Sequence, residues 1–176
     1  MSKRALKNYL KDLTKPQLED QILDLYQRFK EVKTYYNFTF NPMEDKMIGE
    51  AKFKINKEYF PQRRRKPKAR RSVAQKYFKH FMQLEMDPTM LADLMLFNIE
   101  TAQRYNSTKP QKSDAFFKSI ATSYEKAVDF IVAHGLLREF NQRLSKIVDE
   151  ARKQEWYNLE VFLRKQDELE KPSMNQ

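Results

Sequence analysis

The sequence predicts an all-α protein, and three observations lead to that fold class. Only 2 of its 176 residues are glycine, which leaves few of the tight turns on which antiparallel sheets depend. Apolar residues recur at intervals of three and four, which is the spacing of helices with one buried face. Ser, Thr, Asn or Asp residues followed closely by Pro or Gln recur along the chain and are typical of helix starts. We expect about seven helices, arranged as an antiparallel stack of helical pairs (α-solenoid-like) or as an irregular bundle.

Three helices are predicted before residue 61. The first lies near residues 3–12, and the second follows a capping box at Thr14 and runs to about Tyr36. The third begins after Asn41-Pro42 and ends near Tyr59. The second helix has an apolar seam with steps of four and three, which indicates packing along an antiparallel neighbour or a partner. That seam consists of Leu18, Ile22, Leu25, Phe29, Val32 and Tyr36.

Four further helices are predicted after residue 71. Their starts are marked by a Ser72 capping box, by Asp87-Pro88 and by Ser113, and Gly135 separates the sixth helix from the seventh. The fifth helix, which follows Asp87-Pro88, is apolar on almost every side, so we expect it to be the most enclosed element. A loop is predicted between it and the sixth helix, at residues 106–112. The pattern after Trp156 fits either a continued seventh helix or an eighth.

The chain is predicted to form a single helical domain over residues 1–170, with a basic connecting segment at 61–71 and a frayed tail at 171–176. The absence of cysteine excludes disulfides and thiolate metal sites and is compatible with a reducing compartment. The basic N-terminus lacks the run of about 7 to 15 apolar residues that a secretory signal requires. No apolar run approaches the length of about 18 residues that a membrane helix needs. We therefore expect a cytoplasmic protein with no membrane partner.

Positive charge is concentrated in the first part of the sequence. Residues 1–71 carry 19 Lys and Arg against 9 Asp and Glu, whereas residues 72–176 carry 15 of each kind. Residues 61–71 alone contain seven basic residues and no acidic residue. A local excess of positive charge attracts polyanions through counterion release, whereas evenly mixed charge mainly confers solubility. The segment at 61–71 is therefore the candidate phosphate-binding region.

The candidate binding residues are the basic side chains of this segment and the serine that follows them. Arginine outnumbers lysine here, and its guanidinium group suits bidentate bonding to phosphate. The free N–H groups at the start of the next helix add to the same positive field. Three interpretations stay open for the segment: a solvated connection, a nucleic-acid contact and a contact with an acidic protein surface. The candidate set is Arg63, Arg64, Arg65, Lys66, Lys68, Arg70, Arg71 and Ser72.

Side chains suited to catalysis are scarce. The two histidines lie in different predicted helices: we expect His80 to be an ordinary partly buried side chain and His134 to cap a helix C-terminus. Asp93 and Glu100, spaced by seven, lie on one side of the most apolar helix. They either mark its exposed edge or pair with a neighbouring Lys, and they suggest an active site only if they share a pocket with His80. The sequence therefore predicts a non-enzymatic protein without a metal site or a cofactor.

Five short strings of the sequence resemble an uncharacterised domain-of-unknown-function family of short, basic, all-helical bacterial proteins. The resemblance extends over nearly the whole chain and is strongest up to about residue 105. It implies a bacterial cytosolic protein and supplies no catalytic residue or substrate. The strings are Ser2-Lys3-Arg4-Ala5-Leu6, Ile22-Leu23-Asp24-Leu25-Tyr26, Phe29-Lys30-Glu31-Val32-Lys33-Thr34-Tyr35-Tyr36, Lys57-Glu58-Tyr59-Phe60-Pro61 and Arg71-Ser72-Val73-Ala74-Gln75-Lys76.

Two functional hypotheses follow from the sequence. The first is a binding protein whose basic segment docks onto nucleic acid, either RNA, including ribosomal RNA, or DNA. The second is a helical scaffold for protein–protein interaction, in which an apolar groove along Leu18, Ile22, Leu25 and Phe29 receives a partner peptide or a second copy. The first depends on charge and the second on exposed apolar surface, so the two make different structural demands.

Overall fold

The computed structural model describes residues 2–62 and 65–170, and every regular element within them is an α-helix. The all-α prediction is confirmed, with nine helices in the described residues where about seven were expected. One of the two additional helices arises from a break in the second predicted helix, and the other is the segment after Trp156. The helices are α1 (Lys3–Lys11), α2 (Lys15–Arg28), α3 (Lys30–Phe40), α4 (Glu44–Tyr59), α5 (Arg71–Gln83), α6 (Pro88–Thr108), α7 (Asp114–Ala133), α8 (Leu137–Lys153) and α9 (Leu159–Glu170).

Contacts within the described chain are concentrated in two compact units, where the sequence predicts one domain over residues 1–170. The boundary falls between Met43 and Glu44, so the first unit contains α1 to α3 and the second contains α4 to α9. None of the described helices is long and apolar enough to cross a membrane. The predicted C-terminal tail at 171–176 lies outside the described residues.

The first unit corrects one predicted helix. The capping box at Thr14 is present, with the Thr14 N–H donating to Gln17 Oε1 at 2.8 Å. However, the long helix expected to reach Tyr36 is interrupted at Phe29, whose backbone is extended with φ −116° and ψ 117°. The break lets Tyr26 on α2 donate a hydrogen bond to Asn37 Oδ1 on α3 at 2.8 Å. The prediction of one continuous helix was wrong because contacts between the two halves replace the helical bonds lost at the break.

The second unit is built around α6. Twelve of the 21 residues of α6 are buried, and the helix contacts α4, α5, α7 and α8. The prediction that this would be the most enclosed element is confirmed. An aromatic cluster near the chain's end adds to the core: the Trp156 ring lies 5.2 Å from that of Phe117 and 5.7 Å from that of Phe162. Apolar burial of this kind is the main favourable contribution to folding.

Two helix boundaries of the second unit agree with the local sequence signals. The Asp87 side chain accepts a hydrogen bond from the Met90 N–H at 3.0 Å, so the predicted cap of α6 is confirmed. Gly135 has φ +69°, the left-handed conformation that permits an abrupt reversal after α7. Both signals act over three or four residues, which is why the sequence alone locates them.

Two other boundaries differ from the prediction. Helix α5 begins at Arg71 with Arg70 as its N-cap residue, so Ser72 lies in the first turn and is not the cap. Helix α6 continues to Thr108, beyond the predicted start of the loop at residue 106. Its last turn is stabilised because the Thr108 hydroxyl donates to the Tyr105 carbonyl at 2.9 Å and Asn106 Nδ2 donates to Gln154 Oε1 at 2.7 Å.

Candidate nucleic-acid interface

The basic segment connects the end of α4 to the start of α5. Arg63 and Arg64 of the candidate set lie outside the described residues. Arg65, Lys66 and Lys68 are exposed. No described carboxylate lies within ion-pair distance of any of these three side chains, so their charges are available to an external anion.

Glu58, in the last turn of α4, holds the end of the basic segment in place. Its backbone carbonyl accepts hydrogen bonds from the N–H groups of Lys68 at 3.0 Å and Ala69 at 2.9 Å. Its carboxylate accepts two hydrogen bonds from the Arg70 guanidinium, from Nε and Nη2, both at 2.8 Å. One residue of α4 therefore binds three consecutive residues of the segment and holds the backbone of Lys68 in place.

The Glu58–Arg70 pair has a structural role. The hydrogen bond from Arg70 is the main cause that lowers the pKa of the Glu58 carboxyl, and partial burial opposes that shift. The same bond raises the pKa of Arg70. Both groups are thus charged at neutral pH, and the Arg70 guanidinium already has an anionic partner. Arg70, a predicted phosphate ligand, acts here as an anchor for the segment.

Backbone strain marks the same place. Ala69 has φ +46°, in the left-handed region that residues with a side chain rarely adopt. A conformation of this kind costs roughly 1 kcal/mol or more and persists only where surrounding contacts maintain it. The hydrogen bonds that Lys68, Ala69 and Arg70 make to Glu58 are those contacts. These contacts define the backbone conformation of residues 68–70, which lead into α5.

A cavity of about 380 Å³ lies between the segment and the two helices it connects. Its lining contains six basic residues and one acidic residue, Glu58, which is already bonded to Arg70. Five of the basic side chains have no carboxylate partner among the described residues, so the cavity is strongly positive. The six are Lys54, Lys57, Arg65, Lys66, Lys68 and Arg70.

Some of the residues that line the cavity were not predicted from the sequence. Lys54 and Lys57 belong to α4, and Val73 and Tyr77 belong to α5, but all four line the cavity. A signal for the lysines exists, because residues three apart on a helix share a face, and Glu58 and Pro61 extend the same face towards the segment. We found no comparable signal for Val73 and Tyr77, whose apolar spacing is that of an ordinary core-facing stripe.

The remaining candidate residues do not line the cavity. Arg71 is half-buried, and its Nε is buried without a hydrogen-bond partner in the described part of the chain. Ser72 is exposed in the first turn of α5. The structure thus brings Arg65, Lys66, Lys68 and Arg70 together with two lysines of α4, and it places Arg71 and Ser72 outside that group.

The acidic pair on α6 is part of an ion-pair network. Asp93 bonds to Lys52 and to Arg143, both at 2.5 Å, and Glu100 bonds to Arg143 Nε at 2.5 Å. Partial burial would raise the pKa of Asp93, but the hydrogen bonds from Lys52 and Arg143 outweigh it and lower that pKa. Asp93 therefore pairs with a neighbouring Lys, as one of the two interpretations predicts, whereas Glu100 pairs with an arginine.

The histidines are not part of an acid–base constellation with these acids. Asp93 faces a cavity of about 600 Å³ whose lining includes neither Glu100 nor His80. His134 Nδ1 lies 2.8 Å from the Phe130 carbonyl oxygen at the end of α7, which confirms the predicted capping role. Among the described residues, no group of three or more His, Asp or Glu is arranged to hold a metal ion.

Comparison with known proteins places the chain in a family. No curated protein and no solved structure matches it. A family model described as "Family of unknown function (DUF6155)" matches residues 1–170, which include all nine described helices. The match agrees with the resemblance to a domain-of-unknown-function family that the sequence strings indicate. The chain therefore belongs to DUF6155, a family of unknown function.

Proposed function

We propose that this protein is a non-enzymatic nucleic-acid-binding protein whose cationic cavity contacts the phosphate backbone of RNA or DNA. The observation that carries the proposal is the charge of that cavity. Five basic side chains line it without a carboxylate partner among the described residues, and its one acid is bonded to Arg70. Charges distributed along a surface would solubilise the protein, whereas charges converging on one cavity favour a multivalent anion.

The expected mode of binding is displacement of counterions from phosphate. Each phosphate that a Lys or Arg neutralises releases condensed cations, so affinity falls as salt rises. If all five free cations contacted a single strand, log K would fall against log salt with a slope of about −3.5. A slope near zero would contradict a phosphate-based interaction.

The test is a salt-dependent binding titration with a labelled single-stranded oligonucleotide. The test variant changes Lys54, Lys57 and Lys68 to Gln, which removes three of the cavity's charges. The matched control changes Lys112, Lys118 and Lys153 to Gln; these lysines are exposed and lie outside the cavity lining. Both variants lose the same net charge.

We expect the cavity variant to bind at least 10-fold more weakly than the control and to show a slope smaller in magnitude by about 2. The proposal is contradicted if both variants lose affinity equally, because the effect would then reflect overall charge. It is also contradicted if the wild-type protein does not bind RNA or DNA at low salt.

A second candidate function, a protein–protein scaffold, is favoured by the first unit. Ten of the fourteen large apolar side chains that are exposed among the described residues lie in residues 2–43. They include Ile22, Leu25 and Phe29 of the predicted seam. Apolar groups concentrated on a surface are typical of an interaction site. A pull-down with nuclease treatment separates the two functions: a partner retained after digestion and lost in an Ile22→Ser/Leu25→Ser variant supports the scaffold.

A further inference from the structure

The cationic cavity also has an apolar side. Val73 and Tyr77 are four residues apart on α5, so they lie one above the other on the same face, and both line the cavity. Lys54 and Lys57 line it from α4. The cavity therefore combines positive charge with an aromatic ring, a combination that simple phosphate binding does not require.

The Tyr77 ring contacts the core of the second unit. Its centroid lies 5.8 Å from that of Phe81, one turn further along α5, and Phe81 is only 2% exposed. Tyr77 itself is half-buried. Tyr77 thus contacts a core residue, with 51° between the two ring planes, and it also lines the cavity, so part of the residue is available to a planar group.

The size of the cavity limits what can enter. Its volume of about 380 Å³ falls at the lower end of the range for small-ligand pockets, about 300 to 1,000 Å³. One nucleotide fits a space of that class. In a duplex the bases are paired and stacked inside the helix, so only its phosphates could reach the lysines that line the cavity.

From these three observations we infer that the cavity receives one unpaired nucleotide of a single strand, with its base stacked on Tyr77 and its phosphate between Lys54, Lys57 and Lys68. This inference rests on the proposed function and narrows its substrate to single-stranded nucleic acid. Stacking of a base on an aromatic side chain contributes about 1 to 3 kcal/mol, and every base offers a π-face, so the site is tolerant of sequence.

The first test uses the wild-type protein alone. Affinity is measured for a single strand, for the duplex of the same sequence and for the same single strand with abasic positions throughout. We expect the intact single strand to bind roughly 5- to 150-fold more tightly than the abasic strand, which corresponds to the stacking energy of one base. Equal binding of the intact and abasic strands overturns the inference. Free mononucleotide, added as a competitor, shows whether the cavity binds a nucleotide within a strand or a free nucleotide more tightly.

The second test compares Tyr77→Leu with Tyr77→Phe. Leucine keeps an apolar side chain but removes the ring, whereas phenylalanine keeps the ring and removes only the hydroxyl. We expect Tyr77→Leu to weaken binding of the intact single strand by roughly 5- to 150-fold and Tyr77→Phe to leave it within about 2-fold. Binding of the abasic strand should be unchanged in both. A Tyr77→Leu variant that binds the intact strand as tightly as the wild type overturns the inference.

The outcomes for this inference and for the proposed function are distinguishable. If the cavity lysine variant loses affinity while Tyr77→Leu and the abasic strand have no effect, phosphate binding stands and the nucleotide site is refuted. If the lysine variant behaves like its matched control, both proposals fail. If the lysine variant and Tyr77→Leu both bind more weakly, and the abasic strand binds more weakly than the intact strand, both proposals are supported.

Discussion

In the second unit, α6 buries twelve of its 21 residues, whereas none of the described residues 2–43 of the first unit is buried. Both regions have apolar residues at helical spacing, so amphipathicity by itself does not produce a core. The three helices of the first unit contain 9, 14 and 11 residues, and helices shorter than about 12 to 15 residues are marginal in isolation. An apolar stripe therefore becomes a core only where other helices enclose it.

The largest effect on the free energy of unfolding is expected from truncating a buried leucine of the second unit. An exposed leucine of the first unit is the matched comparison. Leu94 on α6 is 0% exposed and Leu23 on α2 is 57% exposed. We expect Leu94→Ala to lower the free energy of unfolding by about 2 to 5 kcal/mol, because it removes buried methyl groups and leaves a cavity. Leu23→Ala should change it by about 0.5 kcal/mol or less. Chemical denaturation measures both, and equal losses would show that Leu23 is covered in solution.

A smaller effect is expected from breaking the ion-pair network of the second unit. Arg143→Met removes the base that Asp93 and Glu100 share, and the Arg143 side chain is 28% exposed. We expect a loss of about 1 to 3 kcal/mol, less than for a fully buried pair because water screens this one. Arg28→Met, which breaks the exposed pair with Asp24 in the first unit, is the matched control and should cost about 0.5 kcal/mol or less.

The same network should make stability depend on pH. Since the folded state lowers the pKa of Asp93 below its ordinary value of 3.8, the Asp93 contribution is complete above that value. It is lost as the pH falls through the lower pKa of the folded state, because the unfolded chain then binds the proton more readily. Denaturation of the wild type and of Arg143→Met between pH 2 and pH 6 should show a shallower acid dependence in the variant. Parallel curves would contradict this origin.

Glu58→Gln tests whether the contact between Glu58 of α4 and Arg70 positions the basic segment for anion binding. Removing an acid from a cationic cavity should strengthen anion binding if charge alone mattered. We expect weaker binding instead, by about 2- to 10-fold, because the segment loses the carboxylate that fixes Arg70 and must be ordered when the ligand binds. The matched control, Glu160→Gln, removes an exposed acid of α9 that does not line the cavity. Tighter binding by Glu58→Gln would refute the positioning role.

The smallest effect is expected for Ala69→Gly. Glycine adopts φ +46° without steric cost, so Ala69→Gly relieves local strain but also increases the freedom of the unfolded chain. The two contributions nearly cancel, and we expect the free energy of unfolding to change by about 0.5 kcal/mol or less. Ala69→Val should instead destabilise by roughly 1 kcal/mol or more, since a β-branched residue tolerates this conformation poorly. Thermal unfolding of the two variants measures the difference.

Much of the helical architecture was predictable from short stretches of sequence. The cap at Asp87, the reversal at Gly135 and the capping box at Thr14 depend on bonds between residues a few positions apart. Interruption of the second helix at Phe29 was not predictable, because the apolar seam continues across it without proline or glycine. What favours the break is a contact between Tyr26 and Asn37, eleven positions apart, and periodicity carries no information about such a contact.

The all-α class, the enclosed position of α6 and the concentration of positive charge before residue 72 follow from the sequence, because hydrogen bonding within a helix, hydrophobicity and formal charge are properties of local sequence. Which of the charges remain free depends on how the helices pack. The fold pairs Arg70 with Glu58 and buries Arg71 Nε outside the cavity lining. It also places Lys54, Lys57 and Tyr77 beside the basic segment. Electrostatic attraction and packing act across space, so residues distant in sequence set the chemistry of the cavity.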